Sequence, residues 1–499
     1  MRRSSIAWVA GAVAVVGMLA SLLATRTSAR TNPLVATIPT ASFPSLTLAP
    51  GNRAIIVDQM GRRARLVDTT AGRIVGTLAT GRPSPGHWLP IVVDGRLRRA
   101  FVAWPAAPSG PGAALTVAAF DLTDGRRVGA LTISLPPGSF GGGDTYLAVD
   151  ARRHRLFALP FGYPVSALLT VDTVRLRVLR TVALNPWQAG EGPDFLVQGV
   201  PLATDEGTGR VFVGRADEPA VAVLDAASGR LLRTVALPAL PLAAGAVAGA
   251  GAQVACPVVA PDLARVYITN PVANIVTTLD ARTGRIIRTV HLAFSPASPL
   301  VDVAGGRVVV PYQSRGGFAV LDARSGCLLR TRGFGPTPAI TPVALDEGAQ
   351  RAFVADYMGG TVAMVDLRTG RTLRTVGVGI HPSGLAFDRR HGRVLVTDAG
   401  PCCTGGRHTG AGALVVLDGA SGRVVRTIPL GRGPLQPLTD EANGRALLVN
   451  TEGGTTTDLD PWRWVPRPIR QRLAVLPRPR TRPLSASVML FDLAQLAQG

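Results

Sequence analysis

The stretch from Val221 to Val235, VAVLDAASGRLLRTV, is the clearest copy of a motif that recurs along this 499-residue chain. Two apolar runs flank a short polar corner, where the Asp225 side chain is suited to accept turn hydrogen bonds and Gly229 supplies a positive φ. This pattern predicts a β-hairpin. Full copies of the corner return at Asp68, Asp121, Asp280, Asp322, Asp366 and Asp418, a degenerate copy starts at Asp172, and a last copy without the turn starts at Asp492.

The hairpins belong to a longer repeat. Successive corner aspartates lie 42 to 55 residues apart, except for a last step of 74. Two more apolar runs precede each hairpin, as at 385–387 and 393–396, so each repeat holds four strands, here named a to d. Most runs are apolar throughout, which is typical of strands covered on both faces. A repeat of this length built of four short strands predicts the blades of one all-β propeller.

The residues also resemble a known family. The stretch Val266-Tyr267-Ile268-Thr269-Asn270 nearly matches the name-giving strand b of the YVTN (YncE-like) β-propeller repeats, and residues 394–398 are a weaker copy. The resemblance covers roughly Leu46 to Leu493. It implies a WD40-like propeller, usually with seven blades, whose family members are mostly repeat modules without assigned chemistry.

The two ends of the repeat array complement each other. Residues 34–39 resemble a strand d that has no a, b or c before it. The last repeat supplies strands a, b and c at 436–440, 446–449 and 488–492, and no strand d follows. We therefore predict that the N-terminal strand completes the last blade and closes the ring, which removes the exposed sheet edges. This gives eight complete units and a composite ninth, so either the ring is larger than the family's usual seven blades or one or two units are not true blades.

The N-terminal segment predicts export. Arg2 and Arg3 precede an apolar stretch from Ile6 to Ala24, and the small residues 27–29 offer a cleavage site. We assign residues 1–29 to a signal peptide and residues 30–499 to the propeller. The apolar stretch also approaches the length of a membrane span, so an uncleaved anchor is the alternative. The expected location is periplasmic, extracellular or membrane-anchored.

The charge of the chain is strongly positive. The formal net charge is +21, and all 53 basic residues are arginines. Such a charge favours anionic partners such as lipid, polymer or nucleic acid. Most of the arginines recur once or twice per repeat, in Gly-Arg and Leu-Arg-Thr, so we expect them on the solvated edges of the blades. We expect a monomer.

Loop lengths indicate the functional face. The a–b and c–d corners are short, whereas the b–c and d–a connections, which emerge on the opposite face, vary widely in length. Because binding residues concentrate on loops held by a rigid scaffold, we expect a binding or scaffold module that holds an unknown ligand or protein on this loop face. An enzyme is the less favoured expectation. The sequence has no Cys-x-x-Cys-His haem attachment and no nucleophile elbow with suitable partners.

Polar residues follow strand b in several blades: Asp217, Asn270, Asp356, Asp398 and Asn450. One interpretation places them around the mouth of the central channel as ligands for a metal or a polar substrate. A hydrolase or lyase acting there on a small molecule is therefore an alternative function. The other interpretation is that these short side chains start the b–c turns.

One b–c loop contains two thiols and an imidazole. The b–c loop at residues 399–413 contains Cys402, Cys403 and His408. We expect His381, which lies in a neighbouring d–a connection, to be on the same face of the propeller. Thiolate and imidazole suit copper or zinc, so metal or redox handling is a further alternative. Since export meets oxidising conditions, a Cys402–Cys403 disulfide or simple loop structure is favoured. No other cofactor is predicted.

The longest insertion, 451–487, is rich in proline, arginine and tryptophan. Residues 461–483 contain seven Arg, two Trp and six Pro, and no acidic residue. This composition suits an anionic membrane surface or polymer, and export disfavours nucleic acid. The alternative is a proline-stiffened surface loop whose tryptophans pack on the propeller. The candidate contacts are Trp462, Arg463, Trp464, Arg467, Arg470 and Arg472.

Overall fold

The computed structural model is a ring of nine β-sheet blades. It describes residues 33–40, 44–58, 63–81, 89–106, 113–135, 145–160, 166–184, 201–215, 220–238, 257–271, 273–312, 316–335, 342–404, 407–408, 410–452 and 486–498. Each of the first eight blades has four antiparallel strands in the order a-b-c-d. First strands of most neighbouring blades contact each other, which places strand a on the inside of the ring and strand d on its rim.

Strand β1 (Leu34–Pro39) precedes the first complete blade. Blades 1 to 4 follow it, and their strands are β2 (Pro44–Ala49), β3 (Arg53–Asp58), β4 (Arg63–Asp68) and β5 (Arg73–Leu78); β6 (Ile91–Asp94), β7 (Arg99–Pro105), β8 (Ala114–Asp121) and β9 (Arg127–Ser134); β10 (Thr145–Asp150), β11 (Arg155–Pro160), β12 (Ser166–Asp172) and β13 (Arg177–Leu184); and β14 (Leu202–Asp205), β15 (Arg210–Arg215), β16 (Ala220–Asp225) and β17 (Leu231–Ala236).

Blades 5 to 8 repeat this arrangement, with a short 3-10 helix (Pro261–Leu263) in the a–b corner of blade 5. Their strands are β18 (Pro257–Ala260), β19 (Arg265–Asn270), β20 (Ile275–Asp280) and β21 (Ile286–His291); β22 (Leu300–Asp302), β23 (Arg307–Pro311), β24 (Gly316–Asp322) and β25 (Leu328–Gly335); β26 (Val343–Asp346), β27 (Arg351–Asp356), β28 (Thr361–Asp366) and β29 (Thr372–Gly377); and β30 (Pro382–Asp388), β31 (Arg393–Asp398), β34 (Ala413–Asp418) and β35 (Val424–Pro429). A two-stranded hairpin of β32 (Cys402–Thr404) and β33 (Arg407–His408) lies in the b–c loop of blade 8.

Blade 9 joins the two ends of the chain, as predicted. Its inner strand is split into β36 (Arg432–Pro434) and β37 (Leu438–Asp440), which both pair with β38 (Arg445–Glu452). Next comes β39 (Ser487–Asp492), and β1 supplies the fourth strand with Ile38 opposite Val488. The blade count from the corner aspartates is therefore confirmed, and it exceeds the seven that the family resemblance implies.

The core lies between the blades. In the described part of the chain, nine apolar clusters each join one blade to the next. The cluster between blades 9 and 1 combines Ile38 of β1 with Ile56 of β3 and Leu490 of β39. Because both faces of most strands pack against a neighbouring blade, the strands are apolar without alternation.

The corner aspartates form the turns that the sequence predicts. Asp225 Oδ1 accepts hydrogen bonds from Ser228 N at 2.9 Å and from Ser228 Oγ at 2.6 Å. The degenerate copy makes the same turn, since Asp172 Oδ1 accepts from Val174 N and Arg175 N while Leu176 adopts φ +50°. Asp492 instead caps a short helix, α1 (Leu493–Ala497). The face that carries the a–b and c–d corners is called the corner face below.

The arginine that opens strand b is not simply a solvated edge residue. In all nine blades it lies directly opposite the corner aspartate that ends strand c. Arg445, whose side chain is only 15% exposed, pairs with Asp492 at 2.8 Å and donates to the Thr69 and Thr70 carbonyls of blade 1. Seven of the nine arginines donate to the next blade in this way, which differs from the expectation drawn from the sequence.

Every strand d starts with a β-bulge. The register shifts by one residue at the second or third position of the strand in all nine blades, as between Val223 and Leu224 in the pairing of β16 with β17. In that blade Leu232 is the extra residue. A bulge bends an edge strand and re-aims a side chain. No helix in the described residues is long and apolar enough to cross a membrane.

Candidate functional site

The polar residues that end strand b close the b–c turns. Asn270 is buried, and its Oδ1 accepts a hydrogen bond from Ala273 N at 3.0 Å. Asp356 Oδ1 accepts from Gly359 N at 2.9 Å in the equivalent turn of blade 7. Both side chains have the turn-forming role that was the alternative to ligand binding. Asp217 lies outside the described residues.

Asp398 connects two loops on the loop face. Its Oδ1 accepts hydrogen bonds from Ile380 N at 3.1 Å and His381 N at 2.8 Å, in the connection from blade 7 to blade 8. The same oxygen accepts from Gly400 N at 3.2 Å, in the b–c loop of blade 8. Gly379 has φ +148°, and a Cβ there would overlap the Asp398 carboxylate, so only glycine allows this approach. Asp398 therefore positions His381.

The His381 ring lies between a carbonyl and an aromatic ring. Its Nδ1 is 2.8 Å from the Gly400 carbonyl oxygen, which can only accept, so Nδ1 carries the proton and Nε2 is the unprotonated nitrogen of the neutral ring. The Tyr357 ring stacks on it with centroids 4.7 Å apart. Burial, and then the negative charge of Asp398, raises the pKa of Tyr357. The stack joins the b–c turn of blade 7 to the connection that follows strand d.

Two exposed apolar side chains flank the stack. Met358 is 55% exposed and Ile380 is 48% exposed. We call Tyr357, Met358, Ile380 and His381 the loop-face patch. Aromatic and methionine side chains are enriched in protein interfaces, so the arrangement is suited to binding a partner. The sequence held one signal for it, the aromatic and apolar pair that follows the turn-forming Asp356.

Asn450 of β38 lies apart from this patch in blade 9. It is 4% exposed, and its Nδ2 is 3.4 Å from Met489 Sδ. Its Oδ1 has no hydrogen-bond partner among the described residues. The residues predicted to share a channel mouth are thus distributed over separate b–c turns, each with its own local contacts.

The cysteine loop forms a hairpin beside the patch. Cys402 of β32 pairs with His408 of β33. The chain reaches Cys402 from Gly400, the partner of His381. Among the side chains that the structure describes, no three His, Cys, Asp or Glu are grouped to hold a metal ion. The structure gives the backbone of the hairpin residues, so the metal set of His381, Cys402, Cys403 and His408 stays a prediction.

The insertion between β38 and β39 lies outside the described residues from 453 to 485. It leaves from Glu452 and returns at Ala486, on the loop face of blade 9. The anionic-surface contacts predicted at Trp462, Arg463, Trp464, Arg467, Arg470 and Arg472 lie in that segment and stay predictions.

Comparison with known proteins gives distant structural likenesses. No protein-family model matches the sequence, and no curated protein matches it. The chain is similar in structure to the dihydro-heme d1 dehydrogenase NirN in complex with DHE, with 16% identity, 81% of this chain and 80% of that chain covered, and a TM-score of 0.48. It is also similar to BamB from Moraxella catarrhalis, with 12% identity, 91% and 99% covered, and a TM-score of 0.45. A third similar structure is Sqt1 from Saccharomyces cerevisiae, with 9% identity, 81% and 95% covered, and a TM-score of 0.47. Likenesses of this size carry no function to this chain, and the propeller assignment rests on its own nine sheets.

Proposed function

We propose that the chain is an exported, YncE-like β-propeller that binds a partner protein through its loop face and acts as a binding or scaffold module. The loop-face patch carries this proposal. Tyr357 and His381 form a stacked pair that a buried carboxylate positions, and exposed Met358 and Ile380 lie beside it. A preorganised aromatic centre with apolar neighbours is the usual composition of an energetic hot spot.

The family and the export have separate support. Tyr267 of the YVTN-like stretch is fully buried in β19 and its hydroxyl donates to the Ala323 carbonyl of the next blade, which gives the motif tyrosine a role in joining blades. The apolar stretch from Ile6 to Ala24 supports export. N-terminal sequencing of the protein recovered from the producing cell distinguishes cleavage near residue 29 from retention of the anchor.

Site-specific photo-crosslinking in the producing cell tests the partner. A benzoylphenylalanine at Met358 or at Ile380 should give the same discrete protein adduct. Combining the Ile380 probe with Tyr357→Ala should reduce that adduct about tenfold, as expected for loss of a hot-spot side chain. A probe at Val303, which is exposed on the corner face, is the matched control. Equal adducts from Val303, or no discrete protein adduct from the patch, would contradict the proposal.

A second candidate function is metal handling at the cysteine hairpin. It is favoured by the pairing of Cys402 with His408 and by the tautomer of His381, whose Nε2 is the nitrogen that a metal would bind. We predict that Cys402 and Cys403 form a disulfide in the exported protein, with the compartment's oxidant accepting two electrons while two thiol protons are lost. Copper or zinc then binds only after reduction.

Thiol counting and metal titration decide this second candidate. Unreduced, denatured protein should show no free thiol at Cys402 and Cys403. Reduced protein should bind copper or zinc, and Cys402→Ser and His408→Ala should each weaken binding by about tenfold or more. His391→Ala on the corner face is the control, since that imidazole lies against Asp388. Unchanged binding in the two hairpin variants would leave the pair with a loop-shaping role only.

A further inference from the structure

The bulges on the rim expose a repeated apolar side chain. In all nine blades the extra residue of the bulge is Val, Leu or Ile. Six of these side chains are exposed by more than a third: Val35, Val128, Leu232, Ile287, Leu329 and Leu373. Of the sixteen large apolar residues exposed in the described part of the chain, twelve lie at the bulges or in the c–d corners next to them. Such clustering marks an interaction surface rather than scattered exposure.

Protection of the sheet edge does not explain why the bulge residues are aliphatic. A bulge alone twists an edge strand away from pairing, and charged side chains on the edge do the same. Strand d is the edge strand of each of the eight complete blades. A charged residue at the bulge would protect it better than an aliphatic one, yet all nine positions are aliphatic. The aliphatic side chains therefore point to contact with another surface.

The same segments are rich in arginine. The eight ten-residue segments that start at Asp68, Asp121, Asp172, Asp225, Asp280, Asp322, Asp366 and Asp418 contain eighteen Arg and nine Asp. The corner aspartates are further compensated by the strand-b arginines, as in the Arg53–Asp68 pair at 2.8 Å. Arg230, Arg285 and Arg371, each directly after its corner glycine, are exposed. We call the bulge residues and the arginines of these segments the rim collar.

The geometry of the collar fits a flat anionic surface. The collar repeats around the whole rim at the corner face. When the disc lies flat on a surface, many weak contacts therefore form at the same time, and such linked contacts strengthen one another. Each basic residue near an anionic bilayer adds attraction, and aliphatic side chains insert at the headgroup boundary. A bilayer is planar and equivalent in all directions, as the ring requires, whereas a single protein partner would need a matching flat surface as wide as the ring.

The path of the chain supports the same orientation. β1 starts at the corner face, where Asp492 N donates to the Pro33 carbonyl at 2.8 Å. Residue 33 lies nine residues after the apolar stretch that ends at Ala24. If that stretch is held in a bilayer, this short link brings the corner face of the disc to the membrane. The loop-face patch then points away from it.

We propose that the rim collar docks the propeller, corner face down, on an anionic lipid surface. This site differs from the insertion 451–487 and lies on the opposite face from the proposed partner site, so each can fail without the other. The surface is a bilayer with anionic headgroups, and free phosphate or a soluble polyanion is an outcome that the test below separates.

Lipid photo-crosslinking with the full-length protein tests the orientation. The protein, carrying a benzoylphenylalanine at Leu329 on the collar or at Leu435, between β36 and β37 on the inside of the ring, is reconstituted with phosphatidylcholine vesicles that contain or lack phosphatidylglycerol. Both positions are exposed. The Leu329 probe should give about tenfold more lipid adduct in anionic vesicles than in neutral ones, and salt should reduce it because charges are screened over about 8 to 10 Å at physiological ionic strength. The Leu435 probe should give little adduct in either, and inorganic phosphate should not compete at matched ionic strength.

Two collar variants and one control complete the test. Leu232→Ser with Ile287→Ser and Leu373→Ser, and separately Arg230→Gln with Arg285→Gln and Arg371→Gln, should each lower the Leu329 adduct about tenfold. An unchanged melting temperature shows that the variants are folded, and Leu435→Ser is the matched apolar control. Deleting 453–485 should leave the adduct intact. Equal adducts at Leu329 and Leu435, no loss in either collar variant, or loss on deleting the insertion would overturn the proposal.

Discussion

At the residue scale, the carboxylate of the corner aspartate accepts the same turn hydrogen bonds in most blades. Asp68 Oδ1 accepts hydrogen bonds at 2.9 Å from both Thr70 N and Ala71 N. The pKa of Asp68 is lowered below its ordinary value of 3.8, and the hydrogen bond from Ala71 N lowers it most. Partial burial raises the pKa in opposition. The hydrogen bond from Thr70 N and the charge of Arg53 lower the pKa further. The pKa is also lowered for Asp121, Asp172, Asp225, Asp280, Asp322, Asp366 and Asp418.

A lowered pKa links these turns to acid stability. Near pH 4 these carboxyl groups bind fewer protons in the folded state than in the unfolded state. Each carboxylate therefore stabilises the folded protein, and it does so in full at pH values well above its unfolded pKa. That contribution is lost as the pH falls through the folded pKa. Asp68→Asn keeps a turn-forming oxygen and loses the charge, so we expect it to lower the free energy of unfolding by about 1 kcal/mol at pH 7. The difference from wild type should shrink below about pH 4.

Urea unfolding at pH 7 and at pH 3 measures this difference. Asp68→Ala, which also removes the acceptor, should cost more than Asp68→Asn at both pH values. Asp262→Asn is the control, because Asp262 is exposed in the short 3-10 helix. A difference that stays constant from pH 7 to pH 3 would show that the charge of Asp68 is not what stabilises the corner.

The corner residues also show what one sequence can predict. The aspartates were visible because the turn needs an acceptor at a fixed offset from a glycine. Asp172 was harder to recognise, since Leu176 takes the positive φ that glycine supplies elsewhere. The contact between Asp398 and His381 joins residues 17 apart across two loops, and no local pattern encodes it. The polar residues at the ends of strand b could therefore be identified from the sequence, whereas their contacts could not.

At the scale of the elements, strand b of most blades joins the neighbouring blade through its first residue. Arg155 Nε donates to the Ala227 carbonyl of blade 4 at 2.8 Å, and Arg265 Nε donates to the Arg324 carbonyl of blade 6 at 2.9 Å. Each guanidinium also faces the aspartate of its own blade. A planar group with five donors serves both partners at once, which a lysine could not do with the same geometry.

We expect Arg445 to be the most informative of these links, because it joins blade 9 to blade 1. Arg445→Gln removes the ion pair with Asp492 and the bonds to the Thr69 and Thr70 carbonyls. The loss should lower the free energy of unfolding by about 1 to 3 kcal/mol. Hydrogen exchange should quicken first in β1 and β39, on either side of the closure.

Arg423→Gln provides the control for this variant, since Arg423 is exposed at the start of a strand d. It should leave both the unfolding curve and the exchange pattern unchanged within about 0.5 kcal/mol. Equal effects of the two substitutions, or faster exchange spread evenly over all blades, would show that the link has no special part in closure.

The strands were more predictable than their irregularities. Runs such as 393–396 fall within β31, because apolar runs between turn residues specify strands. The bulge of strand d was not predicted, since two apolar residues in a row fit a bulged and a regular strand equally well. The hairpin of β32 and β33 was likewise not predicted, because its two strands are three and two residues long.

At the scale of the whole molecule, the ring has two faces that differ in their loops and side chains. The loop face carries the connections that vary and the loop-face patch, and the corner face carries the repeated turns and the rim collar. The number of blades follows from the sequence, because each blade has its own corner aspartate. The chemistry of the proposed partner does not, because it depends on side chains brought together from separate loops.

Closure of the ring depends on β1. This strand pairs with β39 from Leu34 opposite Phe491 to Pro39 opposite Ser487, and it buries Ile38 between blades 9 and 1. Deleting residues 1 to 40 would leave β39 as an unpaired edge strand, and its sequence SVMLFD is strongly apolar. Unpaired apolar edges recruit other chains. We therefore expect the shortened protein to form high-molecular-weight species in size-exclusion chromatography and to melt at a lower temperature.

Deletion of residues 1 to 30 removes the same apolar N-terminal stretch and keeps β1, so it should stay monomeric with an unchanged melting temperature. If the two deletions behave alike, the strand is not what closes the ring; if only the longer one aggregates, the six residues of β1 hold the ninth blade to the first.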